Sequence, residues 1–504
     1  MLFRTFSRRN ISFTVYSTLA LKATHQMLCQ LLLALAFSSW AVAADPNFRA
    51  LFEPYVSPGV EMAISSDPEF ADVVSSRWST WQAPTYQAAV KPVNEADVQQ
   101  IVRIAGRNNI SFLATLNGHG TSFGYGNLQN ALNINLANFN SVTVDAANNR
   151  MTVGGGVTFG DLAEPLAQAG KEIQTGNAVC VGMVGATIGG GIGTMQGLHG
   201  LVLDALESVR LVTATGDIVN ASASENPDLF WGIRGAGANF GIITSATYVV
   251  YDEINNGRAT LAHFDFPVSA NRSIWELLRS YDDYIPAPLA LIPSIQYNHT
   301  INETSIGFGL VYYGTQKEAQ PYINQIAALN PTSSSIQNLT TGELHEVFSQ
   351  GVCDKGSRHH VYTVGLRKTD TATLEETLDD MIDFYETHPD YRGSLAIQRY
   401  SNEAMLRVPQ NDTAYPWRSI NAYLLFDNTY TDPAIDADVY DISRTVRSRF
   451  EATSGFREPQ VYLNYDHGDE PLTQVYGASK LPRLRALKAR WDPKRLFGVG
   501  NPIH

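Results

Sequence analysis

The chain has 504 residues, of which 44% are hydrophobic and only 17% charged, and its formal charge is −13. That length fits one large or two to three ordinary domains, and the composition excludes a disordered or fibrous chain. Residues 1–44 hold four cations (Arg4, Arg8, Arg9, Lys22) and no anion, so the remainder sets 32 cations against 49 anions. Such a body repels nucleic acid and anionic membranes, and no basic run supplies a groove for either.

The first segment reads as a secretory leader. Leu28 to Val42 is mostly apolar and ends in Ala41-Val42-Ala43-Ala44 before Asp45, an A-x-A-like cleavage site after an apolar stretch of fitting length. The leader covers 1–44, or 27–44 if Met27 is the start; a membrane anchor is the alternative, although the stretch is short for a span. Sequons at Asn271, Asn298, Asn302, Asn338 and Asn411 agree with a secretory route, and Asn109 and Asn220 match more weakly. Beyond the leader stand two cysteines, Cys180 and Cys353. They can pair once, or Cys180 can have chemistry of its own.

Tyr86–Val90 reads as a strand. Asn94, with Asp97 three residues on, caps a helix carrying Val98, Ile101, Val102 and Ala105 on one face. Phe112–Thr115 is the next strand and delivers Asn117-Gly118-His119-Gly120. Strand, helix, strand and glycine loop in that order suggest an α+β or α/β nucleotide-type domain. Strands follow at Leu132–Leu136, Val142–Val144 and Arg150–Val153, and a helix near Phe159–Ala169 leads to Gly189-Gly190-Gly191-Ile192-Gly193. Leu206–Thr213, a turn at Thr215-Gly216-Asp217, Ile218–Ala221 and Gly241–Val250 close this block.

From about Tyr251 glycine thins out. Ile274, Trp275, Leu277, Leu278 and Tyr281 share one helical face, and Leu374, Leu378, Met381 and Ile382 another. Strand patterns lie at Ser294–Tyr297, Gly307–Tyr313, Val361–Leu366, Ser394–Tyr400 and Ile420–Phe426. A sheet covered by helices on one face is the economical reading. The expected division is a glycine-rich domain at 80–253, a second domain at 254–454 and a return of 455–504 to the first.

Which ligand the glycines serve follows partly by elimination. A dinucleotide fingerprint needs G-x-G-x-x-G directly after a strand. Gly189–Gly193 lacks the third glycine in register, and Gly235-Ala236-Gly237 meets Phe240 where glycine is required. No Gly-Lys-Ser/Thr P-loop exists. A pyrophosphate cradled by backbone N–H groups of several separate loops remains. The histidines show no metal-ligand spacing, so no metal is expected.

The motifs in order resemble the flavin-linked family of vanillyl-alcohol oxidase and berberine bridge enzyme, in its fungal secretory-pathway branch. They are Asn117-Gly118-His119-Gly120, Val181-Gly182 to Gly189-Gly190-Gly191, Gly200-Leu201 to Asp204, Asp228-Leu229-Phe230-Trp231, Asn239-Phe240-Gly241-Ile242, Tyr462-Leu463-Asn464-Tyr465 and Trp491-Asp492-Pro493. The resemblance implies an α+β, two-lobed FAD-binding fold of the vanillyl-alcohol oxidase type, with an antiparallel sheet and helices forming the substrate lobe. It implies FAD on Asn117, Gly118, His119, Gly120, Thr121, Ser122, Val181, Gly182, Gly185, Gly189, Gly190, Gly191, Gly241, Ile242 and Asn464, joined covalently through His119. A second tether uses a cysteine three residues before the Val181 position; Ala178 stands there, and Cys180 is two residues off. Val181 matches the position where a small side chain leaves room for O2, which favours an oxidase making hydrogen peroxide.

Berberine bridge enzyme takes the substrate proton on a glutamate. Counting back from Tyr415-Pro416 puts Arg407 there, and Glu403 is out of register. Cannabinoid-forming relatives use the tyrosine matching Tyr465. The expectation is therefore that Tyr465 is the base and that Arg407 shares its pocket and lowers its pKa, with core packing of Tyr465 as the alternative. Tyr125 can stack on the ring system or pack, and His199 is better read as a core histidine. The partners implied are a small-molecule substrate and O2, with no nucleic acid and no membrane span in the mature chain. The substrate is an alcohol, phenolic or alkaloid-like molecule of secondary metabolism. A carbohydrate oxidase is the second reading, and a flavin-holding protein with little catalysis the third.

Overall fold

The computed structural model describes residues 47–504. The leader and its cleavage motif lie outside the described residues. The chain divides into a unit of 1–51, whose described part, Asn47–Leu51, enters a short helix, and a unit of 52–504. Everything below concerns the second unit.

Strands β1 (Glu61–Ile64), β2 (Tyr86–Lys91), β3 (Phe112–Thr115) and β4 (Ala131–Asn135) form a sheet of order β1-β2-β4-β3, in which β4 runs parallel to β2 and β3. The parallel pairs need a crossover, and the helix Glu95–Asn108 supplies it. Its start is the capping box read from Asn94 and Asp97: Asn94 accepts from the Asp97 amide at 3.0 Å and Asp97 accepts in return. Val98, Ile101, Val102 and Ala105 are fully buried.

Strands β5 (Val142–Asp145) and β6 (Arg150–Gly154) follow, then the two-residue β7 (Lys171–Glu172), β8 (Leu206–Val212), β9 (Ile218–Ser222), β10 (Ile242–Val249) and the two-residue β11 (Tyr251–Asp252). Five of them make an antiparallel sheet, β5-β6-β10-β8-β9, and β7 pairs with β11. The tail returns to this part of the molecule: Leu481, Leu484 and Leu487 of the helix Leu481–Trp491 share a core with Leu229, Phe230 and Trp231.

Strands β12 (Arg258–Pro267), β13 (Leu289–Asn298), β14 (Glu303–Tyr312), β15 (Ser333–Thr340), β16 (Arg358–Leu366), β17 (Ser394–Tyr400) and β18 (Ala422–Tyr430) form a seven-stranded antiparallel sheet, β15-β12-β14-β13-β17-β18-β16. Because side chains alternate along a strand, the sheet has two distinct faces. One packs Phe264, Leu291, Phe308, Leu395 and Leu424 against Trp275, Ile323, Leu378 and Val446 of four helices. The other carries Leu261, Ala290, Val311, Tyr400 and Tyr423 and meets Tyr415, Tyr462 and the half-buried Tyr465. The helices do cover one face, and the second face is left for a site.

The sheet gained strands that alternation did not reveal. β12 is buried on both faces, so its pattern is nearly continuous. β15 is polar and almost wholly exposed, a strand only because its backbone pairs with the sheet edge. Among the described residues no helix is long and apolar enough to cross a membrane.

Candidate functional site

Strand β3 ends at Thr115, and the chain then turns through Asn117–Ser122. Gly118 adopts φ +60° with Arg77 packed on the side a Cβ would take. Gly120 is filled by the Tyr125 ring, 2.7–3.0 Å from where its Cβ would lie, so Tyr125 packs here, beneath the Arg77 guanidinium at 4.4 Å. Asn117 donates to the Cys180 carbonyl at 2.9 Å and so ties the first glycine loop to the second.

His119 stacks on Trp78 at 5.2 Å, and its Nε2 is buried without a hydrogen-bond partner. Burial first, then the charges of Lys355, His359 and Arg77, lower its pKa to about 4. The imidazole is therefore neutral at physiological pH and keeps a free lone pair. Thr121 and Ser122 are buried, and the Ser122 hydroxyl hydrogen-bonds the Asp466 carboxyl.

The second loop splits into two kinds of glycine. Gly182 and Gly185, at the start of the helix Met183–Gly189, face open space: a Cβ at Gly182 would meet only Leu116, at 3.8 Å, and at Gly185 nothing within 4 Å. Gly189, Gly190 and Gly191 instead pack inside the protein. Asn464 fills the space a Cβ would take on the first, Tyr462 and Tyr415 that on the second, 2.9 and 3.1 Å from the Cβ position, and Val202 that on the third. The Gly190 amide donates to Ala186 and Thr187, and the Gly191 amide to the Tyr462 hydroxyl at 3.0 Å. The expected ligand contacts of Gly190 and Gly191 are thus corrected: their N–H groups are already spent, and φ of +147° and +84° explains why they are glycines. A Cβ on Gly241 would lie 2.6 Å from the Val212 carbonyl oxygen, and Ile242 pairs with Val212 in the ladder, which makes both of them part of the sheet joint. Opposite outcomes follow. Gly191→Ala should cost at least about 2 kcal/mol in a urea melt through backbone strain and overpacking, whereas Gly185→Val should leave that melt unchanged and lower the flavin content of the purified protein.

Tyr462-Leu463-Asn464-Tyr465 carries the tail across this helix. Asn464 donates to the Ala186 carbonyl at 2.8 Å and to the Tyr462 hydroxyl at 2.9 Å. Its role is to fix the motif on the glycine helix. Tyr465 then projects to the open sheet face, where the Gln398 side chain on β17 hydrogen-bonds its phenol. Burial raises the phenol pKa, followed by Tyr462; Gln398 pulls the other way, and the nearby Asp427 raises it again.

One expectation is corrected here, and one open alternative is settled. Arg407 lies on the short helix Glu403–Arg407 that follows β17, with its side chain 64% exposed and 3.8 Å from Glu403. Its charge acts on Tyr251, not on Tyr465, whose pKa is raised rather than lowered. Cys180 forms a disulfide with Cys353. Its thiol is used up and cannot be a second flavin tether. Val181 is half-buried between this disulfide and Gly182. His199 is a core histidine, bonded to Glu172 at 2.7 Å and stacked on Tyr251.

Sequence reading did not single out Asp427 on β18. It shares the open face with Gln398 and Tyr423, its Oδ1 is buried without a partner, and burial pushes its pKa up to about 7. Only its inward position in the alternating run Ala422–Tyr430 could have flagged it.

A flavin fits what is here. Asn117–Gly120, Val181, Gly182, Gly185, Asn464 and Tyr465 keep accessible surface amid buried neighbours, His119 Nε2 in the first loop has no partner, and the open sides of Gly182 and Gly185 admit a close approach. Comparison with known proteins agrees. Residues 86–222 match the FAD binding domain family and residues 461–504 the family "Berberine and berberine like". FAD-linked oxidoreductase azaL of Aspergillus niger is 44% identical over 467 residues, spanning 91% of this chain and 99% of that protein. FAD-linked oxidoreductase afoF of Emericella nidulans is 44% identical over 477 residues, with shares of 94% and 99%. The chain belongs to the FAD-linked oxidoreductases of the berberine-bridge-enzyme-like family.

Its fold matches solved members at low identity. Physcomitrella patens BBE-like 1 superposes with TM-score 0.79 at 22% identity, covering 90% of this chain and 98% of that one. A glucooligosaccharide oxidase of Acremonium strictum gives 0.78 at 20%, with shares of 88% and 96%.

Proposed function

We propose that this enzyme is a secreted oxidase with FAD bonded covalently through His119, and that it oxidises a small alcohol, phenolic or alkaloid-like molecule of secondary metabolism. When bound, FAD supplies the hydride acceptor, and O2 takes the electrons onward to give hydrogen peroxide. The chain's own groups do the rest. His119 offers a neutral imidazole with a free lone pair, as attachment to the flavin methyl requires. Asn117, Gly118, Gly182 and Gly185 line the cradle. Tyr465 accepts the substrate proton, and Gln398 orients its phenol.

The observation that carries this reading is the placement of Tyr465. Asn464 pins it to the glycine helix, and its phenol turns to the sheet face carrying Tyr400 and Tyr423. That buried aromatic surface favours a compact, partly apolar substrate over a polar oligosaccharide. The carbohydrate reading keeps support from the overall fold it shares with the Acremonium strictum glucooligosaccharide oxidase. A peroxide assay across aromatic alcohols and oligosaccharides distinguishes the two. Tyr465→Phe should slow anaerobic flavin reduction roughly 100-fold or more, the usual scale of a lost general base; an unchanged rate would remove Tyr465 from the chemistry. The secretory reading rests on the leader motif and on the exposure of Asn298, Asn302, Asn338 and Asn411.

A further inference from the structure

The seven-stranded sheet ends in two strands whose outer edges differ. Other parts of the chain close the edge of β16. Ser79 Oγ donates to the His359 carbonyl at 2.6 Å and accepts from the His359 amide at 3.0 Å, and the Gly365 amide donates to the Gln460 carbonyl at 2.7 Å. β15 pairs with β12 through Ser333–Thr340, and among the described residues no further strand lies beyond it. Part of its backbone N–H and C=O groups therefore faces outward.

An open edge is a template for pairing with another chain, and proteins usually blunt it with lysine, proline, a bulge or a cover. β15 reads Ser333-Ser334-Ser335-Ile336-Gln337-Asn338-Leu339-Thr340, with no charge and no proline, and its register with β12 runs without a bulge. Ile336 adds an apolar side chain that is 41% exposed. None of the usual devices guards this strand.

The strand does carry a sequon, Asn338-Leu339-Thr340, and Asn338 is exposed. Its Oδ1 accepts from Arg258 Nε at 3.3 Å, while its Nδ2, the atom an N-glycan uses, donates to no group among the described residues. Asn271, by contrast, spends its Nδ2 on the Val268 carbonyl at 2.9 Å. Asn338 is in register with Thr260 and Ile336 with Ala262, so the two side chains share one face of the strand. A glycan on Asn338 stands next to Ile336 and beside the outward backbone, and it is bulky and solubilising. Thr340 has a second duty, since its side chain accepts from the Glu343 amide and caps the helix Thr341–Ser349.

We propose that Asn338 is a glycosylation site and that its glycan guards the open sheet edge, keeping β15 from pairing with β15 of a second copy. The donor is a lipid-linked oligosaccharide diphosphate of the secretory pathway. In the transfer, the bond between the anomeric carbon and the diphosphate oxygen breaks, a bond from that carbon to Nδ2 forms, and one Nδ2 proton is lost as the lipid diphosphate leaves. Nothing is oxidised or reduced. The assignment rests on the secretory reading above.

The test uses the full chain, with its own leader, made in a yeast host. Peptide N-glycosidase in heavy-oxygen water converts each glycosylated asparagine to labelled aspartate. Mass spectrometry of the peptide holding Ser333–Thr340 should find the label at Asn338. Asn338→Gln should keep the wild-type circular dichroism and flavin content, which shows that it folds. Light scattering at rising concentration should show this variant associating beyond the wild-type mass, and hydrogen exchange should show new protection confined to Ser333–Thr340. Adding Ile336→Lys should restore the wild-type mass, because a charge on an edge strand opposes pairing. Thr340→Ser keeps both the sequon and the cap and should behave as wild type. If Asn298, Asn302 or Asn411 is labelled and Asn338 is not, the proposal fails and the secretory reading stands. If no asparagine is labelled, both fail. An Asn338→Gln chain that keeps the wild-type mass at every concentration overturns the guard, and so does a glycosylated wild type already paired through β15.

Discussion

Acid precipitation of the purified wild-type enzyme should leave the yellow colour in the pellet, and the His119→Ala pellet should be white with all its flavin in the supernatant. The expectation follows from His119 itself. Its ring is clamped against Trp78 at 5.2 Å, and Trp78 is held in turn by its indole N–H donating to the Val352 carbonyl at 2.7 Å. Desolvation lowers the pKa to about 4, so the neutral, nucleophilic form is populated across the physiological range. A histidine merely closing a loop would have its nitrogens satisfied, but Nε2 here has no partner. The variant should still bind some FAD, since the cradle at Gly182 and Gly185 does not depend on the ring. A yellow His119→Ala pellet would place the bond elsewhere.

Cys353→Ser should lower the free energy of unfolding by about 2–5 kcal/mol, read from the urea midpoint, and wild type under reducing conditions should behave alike. Cys180 and Cys353 are 173 residues apart in sequence, and a cross-link closing so long a loop removes much unfolded-state entropy. The effect should reach the cofactor. The segment at Val179–Cys180 is also held by Ser349, which accepts from the Val179 amide at 2.9 Å, and by Asn117, which donates to the Cys180 carbonyl. Freeing Cys353 loosens the frame on which Asn117, and hence His119, is set. The variant should therefore carry less covalent flavin per protein at equal expression time. Full flavin occupancy in the variant would show that the cross-link acts on stability alone.

Much of the fold was legible because its signals are local. The capping box at Asn94 and Asp97, the strand Phe112–Thr115 and the alternation of β17 each need only a few neighbours in sequence, and each lies where it was expected. β15 was not legible, since a polar exposed edge strand exists only through the strand it pairs with. Glycine types were legible and glycine roles were not. Gly185 and Gly191 look alike as letters, yet one faces open space and the other is pressed on Val202. The catalytic half shows the same limit. Counting along the chain led to Arg407, which a one-turn helix directs to solvent. The side chain that hydrogen-bonds the Tyr465 phenol, Gln398, instead comes from β17, brought there by the sheet.

The order of glycine loops, the histidine between two glycines and the Tyr462–Tyr465 motif are contiguous patterns, and by themselves they determined a flavin enzyme and singled out His119 as the anchor proposed here. The partner of Cys180, the packing duty of Gly190 and Gly191, and the Gln398 side chain bonded to Tyr465 were decided only by tertiary structure. Each depends on which distant backbone lies within a few ångströms, and on which groups burial leaves unpaired. No run of neighbouring residues encodes either.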